Sequence, residues 1–175
     1  MTQHRGFVVR RVREQDAVAV WSLRLQMLAD TPLAFLETLA DAAAAPRQLY
    51  VDRCVRNASG PDSAAFVAEN DGQLVAQVVG LATSDPGETV VAAVYIAPDC
   101  RGAGLLGQLV EPVAAWSRGA GRGRLRLEVV DGNDRALRAY QKLGFVVTET
   151  GLPHPVIPGL TETRLRRAAG DRRAV

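Results

Sequence analysis

This sequence is poor in aromatic residues, carries one lysine and two cysteines, and has no long apolar run. Each scarcity excludes something. With aromatics at 5 % of 175 residues, leucine, valine and alanine must build the core. Cys54 and Cys100 stand far apart and form no C-x-x-C pair, so neither a metal site nor a disulfide framework is indicated. The longest stretch without a charge, Gly72 to Ser84, has 13 residues and includes two glutamines. A membrane span needs about 18 apolar residues or more, so no membrane contact is expected. No apolar signal core follows Met1-Thr2-Gln3-His4-Arg5. The expectation is a soluble, cytoplasmic protein.

The charge balance is also narrow: 21 basic against 19 acidic residues, a formal +2. That argues against a nucleic-acid partner. Lys142 is the lone lysine, and the other basic residues are arginines. Arginine suits bidentate recognition of phosphate or carboxylate. A coding bias that trades lysine for arginine explains the same composition. At roughly 150 residues per domain, the chain is one domain long, set here at residues 1–167 with a flexible tail at 168–175.

Two periodicities organise the chain. Gly6–Val12 reads as a strand. From Ala17, the apolar residues Val20, Trp21, Leu25 and Leu28 recur at helical steps until Asp30-Thr31-Pro32. A second helical stretch, broken near Pro46, runs to Asn57. Ala64–Glu69 and Gln73–Thr83 flank Asn70-Asp71-Gly72, a hairpin turn. Thr89–Ile96 is β-branched without alternation, as a buried central strand should be. A helix over about 104–118, the strand Leu125–Val130, a helix over 134–143 and the strand Phe145–Thr148 follow. Gly151–Gly159, with three prolines, reads as irregular, and Thr161–Arg166 as a last strand. The class is α/β with a mixed sheet and one right-handed crossover.

Two stretches carry chemistry. In Val94-Tyr95-Ile96-Ala97-Pro98-Asp99-Cys100-Arg101-Gly102-Ala103-Gly104-Leu105-Leu106, a buried strand ends, a glycine turn follows and a helix begins. Such a turn lets backbone N–H groups and a helix N-terminus meet an anion; it also serves as a plain junction. It is neither a Walker loop nor a dinucleotide fingerprint. In the second stretch, Asn133 is a natural helix N-cap. Ala136, Tyr140 and Leu143 then share one helical face, and Gly144 stops the helix.

Together, Arg-Gly-x-Gly and Asn-x-x-Ala-x-x-x-Tyr-x-x-x-Gly-Phe, 32 residues apart, resemble the GNAT superfamily of N-acetyltransferases. The order of elements from Gly6 to Arg166 resembles it too. The resemblance implies a central, mostly antiparallel sheet splayed at the cofactor site. It implies acetyl-CoA as co-substrate, no metal, and a small-molecule or peptide amine as acceptor. Backbone groups of Val94, Tyr95 and Ile96 would meet the pantetheine arm. Arg101, Gly102, Ala103, Gly104, Leu105 and Leu106 would cradle the pyrophosphate, Asn133 would help hold the cofactor, and Tyr140 would protonate the departing sulfur. Homodimerisation is a family-level expectation.

Three departures from the family pattern stand out. Leu106 occupies a place usually held by Gly or Ala, which narrows the approach of the pyrophosphate. Pro112 should kink the helix after the turn. No carboxylate lies within Thr89–Ile96, which leaves Glu88 and Glu128 as the nearest candidate bases; each also reads as an ordinary paired carboxylate. Cys100 beside Arg101 is a candidate low-pKa thiol, His154 a candidate acceptor-pocket residue. Arg164, Arg166, Arg167, Arg172 and Arg173 read as an exposed strand edge and tail. The other readings are a non-catalytic acyl-CoA-binding module and a nucleic-acid-associated regulator.

Overall fold

A computed structural model of the chain describes residues 6–170. Its elements run β1 (Val8–Arg11), α1 (Ala17–Asp30), α2 (Leu39–Ala44), α3 (Arg47–Ser59), β2 (Ser63–Asn70), β3 (Gln73–Ala82), β4 (Glu88–Ile96), α4 (Leu105–Gly119), β5 (Arg124–Val130), α5 (Asp134–Lys142), β6 (Val146–Pro153) and β7 (Thr161–Ala168). The strands form one sheet in the order β1-β2-β3-β4-β5-β7-β6. Every neighbouring pair is antiparallel except β4 and β5. The expected mixed α/β class, mostly antiparallel, is what forms.

Helices cover both faces of the β1–β4 half. In β2, Ala64, Phe66 and Ala68 face α4, while Ala65 and Val67 face α1 and α3. That two-sided burial accounts for an apolar run without alternation. The β2–β3 hairpin turns through Asp71 and Gly72, both at positive φ, the geometry that Asp-Gly favours. Gly80 lets α4 lie close on β3: an added Cβ would stand 2.9 Å from Val113 Cγ1 and 3.0 Å from Trp116 Cζ3.

The parallel pair is short. Glu88, Thr89 and Val90 pair with Arg124, Leu125 and Arg126, and there the pairing ends. A buried polar cluster closes this end. Arg122 Nε donates to Thr89 Oγ1 at 2.9 Å, and Ser117 Oγ lies 2.8 Å from both Thr89 Oγ1 and the Arg122 carbonyl. A serine hydroxyl has one proton. Ser117 therefore donates to the Arg122 carbonyl and accepts from Thr89, which joins the start of β4 to the end of α4.

Beyond the pair, β4 carries a bulge. Gln77 faces Tyr95 and Val79 faces Ala92, so Val78 alone opposes Ala93 and Val94. Ala93 sits at φ +48, and Gln77 Nε2 donates to its carbonyl at 3.2 Å. A bulge adds twist and turns the strand away from its neighbour.

Three local expectations change. β6 continues to Pro153 through Gly151 at φ +68, with two register shifts. It is the edge strand, where a missing N–H and a bulge are tolerated. β7 is consequently interior, and Arg164, Arg166 and Arg167 do not form an exposed edge. The chain stays anchored past position 168: Ala169 is fully buried and its N–H donates to the Gly123 carbonyl at 2.8 Å. Arg172 and Arg173 lie outside the described residues. Pro112 lies inside α4, as the sequence indicates.

The close approach at Gly80 yields a stability test. Gly80→Ala should destabilise by about 1–3 kcal/mol through overpacking, lowering the melting temperature by roughly 2–4 °C per kcal/mol. Gly119→Ala, where an added Cβ meets nothing within 4 Å, should leave it unchanged or raise it.

Candidate active site

Where β4 and β5 part, a groove of about 690 Å³ opens between them. From Val91 onward, the edge of β4 that faced β5 has no ladder partner, so its N–H and C=O groups point into the groove. Val94 lines it, whereas the Tyr95 side chain is buried in the α1–α3 core.

Asn133, Ala136 and Tyr140 line the β5 side of the groove. Asn133 Oδ1 accepts from the Ala136 N–H at 3.2 Å, which caps α5. One turn on, Tyr140 packs edge-on against Phe145, with ring centroids 5.8 Å apart. Burial raises its phenol well above the usual value of 10. The hydroxyl therefore stays protonated at neutral pH and can only give its proton to a stronger developing base.

At the far end of β4, Gly102 and Gly104 adopt φ +81 and +73 before α4 begins. No side chain caps α4, so its first N–H groups lack partners within the helix. A Cβ on Gly102 would meet nothing within 4 Å, which leaves the turn open. Leu105 and Leu106 both pack toward the core formed by α4 and the sheet. Arg101 turns away from the turn's N–H groups: its Nε donates to the Ile96 carbonyl at 2.9 Å and its guanidinium pairs with Asp30. Open backbone donors at a helix N-terminus suit a phosphate group. Cys100 is buried in the same core.

The carboxylates fall into two groups. Arg126 pairs with Glu88 and Glu128, both at 2.9 Å. Glu128 pairs with Arg164 at 2.7 Å, Arg164 with Glu149 at 2.9 Å, Glu149 with Arg166 at 3.2 Å, and Arg166 with Glu88 at 3.1 Å. Three arginines and three glutamates thus form a closed ring on one face of the sheet. The hydrogen bond from Arg164 holds the Glu149 carboxyl below its usual range, and the bond to Glu128 raises Arg164. Glu88 sits at the paired end of β4, away from the opening, and Glu128 lines the groove.

Glu162 is outside the ring. It faces Val130 across the β5–β7 ladder and lines the groove. Its one ion-pair neighbour among the described residues is His154, Nε2 to Oε1 at 3.8 Å. His154 Nδ1 accepts the backbone N–H groups of Val156 and Ile157, at 3.2 and 2.9 Å, so the ring proton of the neutral imidazole sits on Nε2. Burial raises the Glu162 carboxyl above its usual range, partly offset by His154. Sequence reasoning missed Glu162. The alternation in Thr161-Glu162-Thr163-Arg164 marks a strand, but nothing local marks which carboxylate the ladder turns into the groove.

Arg24, Phe35, Leu36, Leu152, Pro153 and Pro155 also line the groove. Arg24 lies over the Phe35 ring and pairs with Glu37 at 2.8 Å. Among the described residues, no helix is long and apolar enough to cross a membrane, and no cluster of His, Cys, Asp or Glu is placed to hold a metal.

Several solved structures share this architecture. A GNAT-family acetyltransferase from Streptococcus pneumoniae is 19 % identical, with a TM-score of 0.73 over 94 % of this chain and 100 % of its own. A ribosomal-protein-alanine N-acetyltransferase from Brucella melitensis is 21 % identical, with a TM-score of 0.72 over 92 % and 99 %. PaiA N-acetyltransferase from Thermoplasma acidophilum, in complex with coenzyme A, is 14 % identical, with a TM-score of 0.74 over 93 % and 99 %. At these identities the likeness establishes the fold. Comparison with curated proteins finds no match. The family model for the acetyltransferase (GNAT) family matches residues 26–145, which span the parted strands, the glycine turn and Tyr140, and the chain belongs to that family.

Proposed function

We propose that this protein is an N-acetyltransferase that moves an acetyl group from acetyl-CoA to a primary amine by direct attack within a ternary complex. The observation that carries this reading is the Tyr140 side chain in the wall of the β4–β5 groove. Acetyl-CoA supplies a carbonyl carbon open to an amine and a thiolate leaving group. Backbone N–H groups from Gly102 to Leu106 and the α4 N-terminus hold its pyrophosphate. The free edge of β4 at Val94 to Ile96 pairs with the pantetheine amides, and Asn133 closes the other side.

As the C–N bond forms and the C–S bond breaks, the amine loses one proton and the sulfur gains one. A thiol of pKa about 8.5 can take its proton from a tyrosine of about 10 at a cost near 2 kcal/mol, and burial of Tyr140 increases that cost until charge develops on sulfur. The amine's proton needs another acceptor. Glu88 and Glu128 would each have to leave two arginines to accept it. Glu162 has no such ties, and burial already favours its protonated form. We assign Glu162 as the base.

Free-thiol release measured across a panel of amines tests the activity. Thermal stabilisation by CoA with no turnover on any amine would instead make the protein an acyl-CoA-binding module. Tyr140→Phe should lower kcat by tens-fold or more with little change in the acetyl-CoA KM; an unchanged kcat removes Tyr140 from the chemistry. Glu162 acts in its ionised form, which is lost as pH falls through its raised pKa. The acid limb of kcat/KM should therefore lie above the range of an ordinary glutamate and disappear in Glu162→Gln. A limb that survives the substitution assigns the base elsewhere.

A further inference from the structure

The groove does not end at the bulge of β4. On the face covered by α1 and α3, a second chamber of about 310 Å³ continues from it, and the two share Arg24, Leu81, Ala92 and Ala93. The chamber's charged lining is of one sign. Arg24 reaches it from α1, and Arg53 and Arg56 from α3, while no carboxylate lines it. The three-residue spacing of Arg53 and Arg56, with Asn57 beside them, puts all three on one side of the helix.

Glu37, outside the lining, offsets this charge only in part. It pairs with Arg24 at 2.8 Å and stands 3.8 Å from Arg53. No ion pair joins Arg56 to a carboxylate among the described residues. Arg53 also lies over the Tyr50 ring, 5.2 Å from its centroid, which holds the guanidinium against the chamber wall. Three arginines against one shared glutamate leave the chamber positive. An ammonium would be repelled there, whereas a carboxylate or phosphate would find planar donors suited to it. Val20, Val79 and Leu81 supply an apolar stretch between the arginines and the bulge.

We propose that this chamber is the acceptor's second subsite and that it takes an oxyanion: the substrate class is a primary amine that also carries a carboxylate or a phosphorus oxyanion. The amine lies at the β4 bulge on the Glu162 side, an apolar stem crosses Ala92 and Leu81, and the anion meets Arg53 and Arg56. Polycationic amines are excluded by the same charge. This inference rests on the acetyltransferase reading for its kinetic arm but not for its binding arm.

The test compares amines that differ only in the anion: L-leucine with L-leucinamide, 5-aminopentanoate with pentylamine, and 3-aminopropylphosphonate with propylamine. In at least one pair the anionic member should show kcat/KM higher by about ten- to hundredfold, as expected for charged hydrogen bonds. The pair that responds tells carboxylate from phosphonate and sets the spacing. Arg53→Gln with Arg56→Gln should collapse that ratio through KM while the thermal shift caused by CoA is retained, which shows the fold intact. Titration calorimetry of the anionic probes against the CoA-loaded protein gives a readout without turnover, and their binding should be lost in the double variant. Equal use of anionic and neutral members, an unchanged ratio in the double variant, or no calorimetric binding of any anionic probe overturns the proposal. Binding without turnover sustains the subsite and sinks the acetyltransferase reading alone.

Discussion

Everything distinctive in this molecule depends on two parallel strands that pair over three residues and then separate. β4 and β5 are held at one end by Thr89, Ser117 and Arg122 and by the ion pairs of Glu88. At the other end the bulge at Ala93 turns β4 aside. A continuous ladder would satisfy more backbone groups. Its interruption instead leaves a strand edge exposed inside the fold, which ordinarily is a liability. Here the exposed edge sits in a groove of a size to take a ligand's amides. The fold thus keeps an open strand edge by leaving hydrogen bonds unmade in one place and securing the place beside it.

The arginines follow the same division. Arg126, Arg164 and Arg166 alternate with three glutamates in a ring, Arg167 lies over Phe145 and bonds the Leu143 carbonyl, and Arg122 lies over Trp116. These are structural uses of a planar, always-charged group. The ring also ties Glu88 and Glu128 to two arginines each, so protonating either would leave arginines unpaired at a partly buried site. Glu162, the proposed base, stands outside the ring in the groove, and Arg53 and Arg56 line the adjoining chamber.

Much of this was legible in the sequence because it is local. Asn133, Ala136, Tyr140 and Gly144 specify the start, inner face and end of α5 within twelve residues, and the structure puts Tyr140 in the groove wall. The glycine turn before α4 was legible for the same reason, since positive φ and open N–H groups are properties of a few adjacent residues. Arg101 was less so. Its pairing with Asp30, 71 residues away, is marked by nothing in the neighbouring sequence.

By itself, then, the sequence determined the element types, the family and the place of Tyr140 on the inner face of α5, since capping, periodicity and turn chemistry act over a few residues. Only the tertiary structure decided which charges are spent on one another. Glu88 and Glu128 look no different from Glu162 along the chain. Their arginine partners come from β5 and β7, brought alongside by a sheet whose order departs from the order of the chain. Strand pairing turns alternate residues to opposite faces, and a shift of one position in β7 would turn Glu162 out of the groove. The places of Glu162 in the groove and of Arg53 and Arg56 in the chamber are properties of register and layering, which no short stretch of sequence encodes.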